Sequence, residues 1–181
     1  MIRRPPRSTQ SRSSAASDVY KRQSFTGSTR VGKLLMAQAA GTVKAVSLEL
    51  GGNAPFIVFD DADVDAAVEG AIASKYRNTG QTCICSNRLF VQDGVYEEFS
   101  TKLAERAAAL KVGVSADDAT EIGPLVNIAA LEKVSELVSS AVGSGATVLT
   151  GGGPHERGGN YYDVTVLADV TTDMDLSLIH I

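Results

Sequence analysis

The chain of 181 residues has no tryptophan, only two cysteines and only two histidines. Cys83 and Cys85 are too few for a disulfide scaffold, which fits a reducing, cytoplasmic compartment. His155 and His180 stand apart from each other and from the cysteines, so no Cys/His set of the kind that holds zinc is spelled out, and no metal is expected. No apolar run approaches the roughly 20 residues that a helix needs to span a bilayer, so no membrane role is expected either.

The formal net charge of −4 conceals an asymmetry. Residues 1–23 hold five Arg and one Lys against one Asp, a net +5, while the other 11 basic and 20 acidic side chains give the remainder −9. An acidic body repels phosphates, which argues against nucleic acid and anionic membranes as partners. The basic stretch also carries five Ser and the pair Pro5-Pro6. It cannot bury enough apolar surface to offset chain entropy, so disorder is expected there. It lacks the apolar core of a secretory signal and shows no amphipathic period. It resembles read-through of sequencing-adapter DNA at the edge of an assembled fragment, and so does the ending from Asp175 through Leu176-Ser-Leu-Ile-His-Ile181. Both tails, 1–23 and 175–181, are therefore expected to be non-native and outside the fold.

Between them strands and helices alternate. Ser24-Phe-Thr26 is β-prone and runs into Gly27; residues 29–41 follow a helical pattern with Gly41 as its stop. Val46–Leu50 and Phe56–Phe59 read as strands ended by Gly51-Gly52 and Asp60-Asp61. Val64, Ala67, Val68, Ala71 and Ile72 recur at helical spacing behind an Asp-rich start. Tyr96, Phe99, Leu103, Ala107 and Leu110 form a second stripe, with Glu97, Glu98 and Glu105 outward; Leu131, Val134, Val138 and Ala141 form a third. Leu89–Val91 and Ala146–Leu149 are short strands, and Gly151–Gly159 is a glycine-rich surface turn. This rhythm indicates an α/β domain with a largely parallel sheet.

Three segments could carry chemistry. In Phe25-Thr-Gly27-Ser28-Thr29-Arg-Val-Gly32-Lys33, a strand, glycines and a helix start aim backbone N–H groups and a helix dipole at an anion. The spacing Gly27-x-x-x-x-Gly32-Lys33 matches most of a P-loop, but Leu34 stands where a magnesium-binding Ser or Thr belongs, which counts against ATP or GTP chemistry. A ligand-free strand-to-helix turn reads equally well. In Leu48-Glu49-Leu50-Gly51-Gly52-Asn53, flanking leucines would desolvate Glu49 and raise its pKa toward that of a general base. The plainer reading is a solvated carboxylate before a turn.

The third segment is Tyr76-Arg77-Asn78-Thr79-Gly80-Gln81-Thr82-Cys83-Ile84-Cys85, where the cysteines are expected in a polar loop rather than in a core. A substrate can reach a thiol there, and nearby N–H groups or Arg77 could stabilise its thiolate. Rival readings are a soft-metal or thiol-switch pair on a non-catalytic domain, or two inert small side chains. Alkylation of Cys83 ahead of Cys85 separates the first reading from these.

Order and spacing add what no segment supplies alone. Phe25-Thr-Gly-Ser-Thr-x-x-Gly, Glu49-Leu-Gly-Gly-Asn and Gly80-Gln-x-Cys83 resemble the cofactor-turn, glutamate and cysteine motifs of the aldehyde dehydrogenase superfamily. VSLELGGNAPFIVFDDAD over 46–63 and YRNTGQTCICSN over 76–87 look most like its succinate-semialdehyde dehydrogenases. The resemblance covers about Ser24 to Met174. It implies the end of a dinucleotide-binding domain over 24–51 and part of a catalytic domain over 52–174. It implies that Cys83 attacks the aldehyde and that its N–H helps bind the oxyanion. It makes Glu49 the activator of the water that hydrolyses the thioester, and sets Gly27, Ser28, Gly32 and Leu50 at an NAD or NADP cofactor. It gives Arg77 the substrate's distal carboxylate and Cys85 a reversible disulfide with Cys83. It also implies a longer, homo-oligomeric enzyme of which this chain is the middle third, so that the chain alone is expected to be inactive.

Overall fold

The computed structural model describes residues 21–177. The expectation of disorder over 1–20 and the residue His180 lie outside the described residues. The chain divides into two compact units, residues 1–51 and 52–181.

The first unit is one strand–helix–strand element. β1 (Arg22–Gly27) pairs in parallel with β2 (Ala45–Leu50), and α1 (Thr29–Ala40) connects them. The Ser28 Oγ accepts from the Val31 N–H at 3.4 Å and caps α1, which Gly41 ends as the sequence pattern predicts. β1 starts two residues earlier than expected: Arg22 pairs with Ala45 and Gln23 with Val46, so the fold takes in the end of the tail assigned to 1–23. The local composition is basic and polar, but an edge strand borrows its order from its partner's hydrogen bonds.

In the second unit β3 (Ala54–Val58) and β4 (Ser86–Val91) also pair in parallel around a helix, α2 (Val64–Tyr76). The Asp63 Oδ1 accepts from the Ala66 N–H at 3.0 Å, which is the cap the Asp-rich start predicts. α3 (Asp93–Ala108) lies on α2, and the two share a core of Val58, Val68, Ala71, Ile72, Phe99, Leu103, Ala107 and Leu110. Phe99 is 1 % exposed, and the glutamates Glu97, Glu98 and Glu105 face outward. Lys102 bridges Asp65 and Glu98 at 2.6 Å, and Arg106 reaches Glu69 at 2.9 Å. Such exposed pairs contribute little; burial of the apolar stripes holds the helices together.

α4 (Ile128–Gly143) starts at Asn127, whose Oδ1 accepts from the Ala130 N–H at 2.9 Å. It packs Ala141 against Ala146 and Met174. β5 (Thr147–Thr150) then pairs with β6 (Val166–Ala168), and this pair is antiparallel. The expectation of one largely parallel sheet is thus corrected: among the described residues there are three separate two-stranded sheets, two parallel and one antiparallel. β6 escapes the sequence pattern because three residues are too few to show an alternation. The closing segment also differs from expectation. Leu176 packs on the Met174 cluster, Ser177 is buried, and the Asn53 Nδ2 donates to the carbonyls of Leu176 (3.4 Å) and Ser177 (2.8 Å). Residues 175–177 therefore belong to the packed unit, because their backbone oxygens satisfy a side chain that would otherwise lack partners. Among the described residues no helix is long and apolar enough to cross a membrane.

Tyr76 closes α2 against the core, with its hydroxyl donating to the Thr165 carbonyl at 3.4 Å, and burial pushes its phenol up to about 12 from the ordinary 10.0. Between these values the unfolded chain loses a proton that the folded chain keeps. The contribution is therefore complete below pH 10 and is lost as pH rises toward 12, by about 1 kcal/mol per pH unit. Tyr76→Phe should flatten this alkaline decline in urea midpoints; an unchanged slope refutes the assignment.

Candidate active site

The first unit contributes a helix start and a carboxylate. Gly27 and Ser28 are exposed between β1 and α1. A β-carbon on Gly27 would come within 2.5 Å of the tip of the Phe25 ring, which folds over the turn and would have to swing aside for any larger residue. Among the described residues, the Thr29 and Arg30 N–H groups at the head of α1 have no hydrogen-bond partner, and Arg30 and Lys33 are exposed beside them. That arrangement suits a phosphate or pyrophosphate. A P-loop is ruled out on geometry as well as on Leu34. Gly32 already lies inside α1, so Gly27 to Lys33 is not a loop that could wrap phosphates.

Gly32 is buried, and a β-carbon there would come within 2.7 Å of the Leu50 side chain. The pair expected at a cofactor instead forms the contact that lays α1 on β2. Glu49 follows the plainer of its two readings. Alternation along β2 turns Val46, Leu48 and Leu50 inward and Ser47 and Glu49 outward. The carboxylate is exposed, and its leucine neighbours do not desolvate it because they lie on the opposite face.

In the second unit the loop after α2 carries Cys83. Arg77 is extended, and then Asn78 (φ 51°), Thr79 (φ 59°) and Gly80 (φ 72°) are all left-handed. Each non-glycine residue there costs about 1–2 kcal/mol, and a β-branched threonine is the least suited of all. Gly80 is required for a second reason: a β-carbon would sit 3.2 Å from both the Lys75 ammonium and the Lys75 carbonyl. The reversal brings the chain back over the end of α2 and presents Cys83 to solvent. Among the described residues no hydrogen bond uses the Cys83 N–H. The backbone of Gly52 lies against the Cys83 carbonyl, close enough that a β-carbon would stand 3.7 Å away.

Cys85 corrects the expectation that both thiols occupy a polar loop. It is 1 % exposed, its Sγ donates to the Lys75 carbonyl at 3.2 Å, and the Thr82 Oγ1 lies 3.0 Å away. Only its neighbour two residues earlier is open to a reagent. The reading of an inert small side chain fits Cys85 and not Cys83. Arg77 is exposed, and among the described residues it makes no ion pair. Among these residues no group of three or more His, Cys, Asp or Glu comes together, and His155 accepts from the Arg157 N–H in a distant loop.

Sequence reasoning missed four supporting residues. The Lys75 ammonium donates to the Asn87 Oδ1 at 2.6 Å under the loop, and burial lowers its pKa, with Cys85 acting the other way. The Thr79 Oγ1 accepts from the Gly123 N–H at 3.0 Å. Gln81 reaches the same segment twice, its Oε1 accepting from the Val126 N–H at 2.9 Å and its Nε2 donating to the Pro124 carbonyl at 3.2 Å. The dipeptide Thr79-Gly80 signals a turn, but nothing local signals partners more than 40 residues away.

The difference in exposure predicts that iodoacetamide labels Cys83 at least about tenfold faster than Cys85 in the folded chain, because Cys85 must wait for local opening. Mass-resolved peptide labelling reads this directly, and equal rates would overturn the placement.

Comparison with known proteins bears out the family resemblance. The model of the aldehyde dehydrogenase family matches residues 10–178. A succinate-semialdehyde dehydrogenase [NADP(+)] from Escherichia coli is 54 % identical over 159 residues, covering 88 % of this chain and 33 % of that protein. A glutarate-semialdehyde dehydrogenase from Pseudomonas aeruginosa is 55 % identical over 152 residues, covering 84 % and 32 %. The crystal structure of succinate-semialdehyde dehydrogenase from Burkholderia pseudomallei superposes with a TM-score of 0.84 at 57 % identity, again over 86 % of this chain and 32 % of that one. The chain thus spans about a third of the length of these relatives, and over that span it belongs to the aldehyde dehydrogenase family.

Proposed function

We propose that the chain carries the nucleophile and the deacylation base of an NAD(P)-dependent aldehyde dehydrogenase that oxidises succinate semialdehyde to succinate. The observation that carries this reading is the exposed Cys83, with an uncommitted N–H, at the apex of a loop whose Gly80 and Gln81 hold it in place. The Cys83 thiolate adds to the aldehyde carbon, and the Cys83 N–H donates to the oxygen as it gains charge. A nicotinamide dinucleotide, held through its pyrophosphate by Gly27, Ser28 and the head of α1, supplies the hydride acceptor for the oxidation. Glu49 then takes a proton from the water that adds to the Cys83 thioester, releasing the acid and restoring the thiol. Exposure of Glu49 suits a base that must meet water. The proteins named above act, by their names, on semialdehydes of succinate and glutarate, both of which end in a carboxylate. Arg77 is the exposed guanidinium nearest in sequence to Cys83 and suits that carboxylate through a two-pronged hydrogen bond.

By itself the chain should show no turnover with NAD(P)+ and succinate semialdehyde. Residues 21–177 set into the E. coli relative in place of the matched segment should restore it. In that chimera Cys83→Ala should abolish activity. Glu49→Gln should leave a burst of one reduced nucleotide per site, followed by a steady rate lower by about 10²-fold or more. A Cys83→Ala chimera that still turns over sinks the proposal. Arg77→Met should raise KM for succinate semialdehyde by about tenfold or more while sparing an uncharged aldehyde, since a charged hydrogen bond contributes about 1.5–3 kcal/mol. Equal losses on both substrates would remove Arg77 from the substrate site.

A further inference from the structure

The hydrogen bonds that Gln81 and Thr79 send across the fold have no part in the chemistry above, and they converge on one short segment. Thr79 takes the Gly123 N–H, and Gln81 holds both the Pro124 carbonyl and the Val126 N–H. That segment is itself anchored. Ile122 is buried, and its N–H donates to the Lys111 carbonyl at 3.0 Å. The Leu125 N–H donates to the Asn160 carbonyl at 2.9 Å, and Asn127 caps α4 immediately after. On the trailing side of Cys83, the Cys85 Sγ is tied to the end of α2 through the Lys75 carbonyl. The thiol therefore sits between two fixed points, one on the 123–126 segment and one on α2.

A loop held this way resists relaxing, although its backbone has reason to relax. Asn78 and Thr79 are left-handed without being glycine, and Thr79 is both the most strained of the three residues and one of the two that make the outside bonds. Strain persists only where surrounding contacts overdetermine it. The bonds of Gln81 and Thr79 supply that determination two and four residues before Cys83.

We propose that Gln81, together with Thr79, is a positioning residue for Cys83: by tying the strained 78–80 reversal to residues 123–126, the pair aims the Cys83 N–H at the oxygen of a carbonyl under attack by the Cys83 sulfur. The proposal rests on the reading of Cys83 as nucleophile. It differs from a general stabilising role in what it affects. Aim of the N–H matters for attack on a carbonyl, where an oxyanion develops. It does not matter for displacement at a saturated carbon, where none does.

Two reagents on the full 181-residue chain separate these cases. With p-nitrophenyl acetate the Cys83 sulfur adds to the carbonyl carbon and expels p-nitrophenolate, leaving an acetyl thioester. With iodoacetamide it displaces iodide from a CH2 group. The ratio of the two Cys83 rates, each read by peptide mass spectrometry, isolates the oxyanion contribution. Gln81→Met keeps the length of the side chain and loses both hydrogen bonds. Thr79→Ala loses the acceptor, whereas Thr79→Ser keeps it. Gln81→Met and Thr79→Ala should each lower the acylation-to-alkylation ratio by about five- to tenfold, as expected for misaiming one donor rather than deleting it. Thr79→Ser should hold the ratio within about twofold, because its hydroxyl can still accept. In hydrogen exchange, Gln81→Met should lose protection at the Val126 N–H while the Phe99 region of α3 keeps its own. Ratios unchanged in both Gln81→Met and Thr79→Ala, with Val126 deprotected, overturn the positioning role. A wild-type Cys83 that reacts with neither reagent faster than in the urea-unfolded chain instead overturns the nucleophile reading beneath it.

Discussion

Both ends of the loop that carries Cys83 are fixed in one core, and the second unit's chemistry depends on that constraint. α2 enters the loop and β4 leaves it. The contacts of Val68, Ala71 and Ile72 with Val58 and Phe99 hold the helix on the parallel pair that β4 completes. Nine residues, 77–85, must close the gap. A span that short cannot choose its own conformation freely, and the left-handed run at 78–80 is what the closure requires. The Cys85 thiol then donates to a carbonyl in the last turn of α2, supplying a partner that a helix end otherwise lacks. The exposed Cys83 and the buried Cys85, two residues apart, would share a face in a regular strand, so their difference comes from the turn before β4 and from the contacts of Cys85 with Lys75 and Thr82.

The first unit works by a simpler rule. Its helix lies on its strand at a single close contact, Gly32 on Leu50, and the absence of a side chain at Gly32 sets how near they come. The two residues that the family resemblance sets at a cofactor therefore touch each other. A glycine in such a motif serves packing of helix on strand as much as approach of a phosphate. The exposed part of the motif is Gly27 and Ser28, where the helix dipole begins.

Much of the fold was legible because its signals are local. The Asp-rich start that caps α2, the glycine stop of α1 and the stripe from Phe99 to Leu110 depend on neighbours within a turn or two. What was not legible depends on distant partners. Arg22 and Gln23 become strand only by pairing with Ala45 and Val46. Leu176 and Ser177 join the unit through Asn53 and through the Met174 cluster. β6 needs β5 to exist. Of the two readings of Glu49, the solvated carboxylate is the one the strand supports. Flanking leucines suggest desolvation along a sequence, but in a strand they mark the opposite face, so alternation overrules adjacency. Alternation would not have revealed Cys85, because residues two apart share a face in a strand; its burial depends on the carbonyl of Lys75 ten residues earlier.

The unpaired acceptor on Asn53 shows how these long-range contacts are balanced. Its Nδ2 is doubly engaged with Leu176 and Ser177, and its carbonyl accepts from the Arg88 Nε at 3.0 Å, yet its buried Oδ1 has no partner among the described residues. An unsatisfied buried oxygen costs about 1–3 kcal/mol. The rotamer is therefore set by the two carbonyls, which can be served only by the amide nitrogen, and the oxygen is left without a partner as the lesser loss. Asn53 follows Gly52, which lies against the Cys83 carbonyl, and it precedes β3. The cost at Asn53 thus falls on the strand junction beside Cys83, where one side chain engages several backbone groups at once.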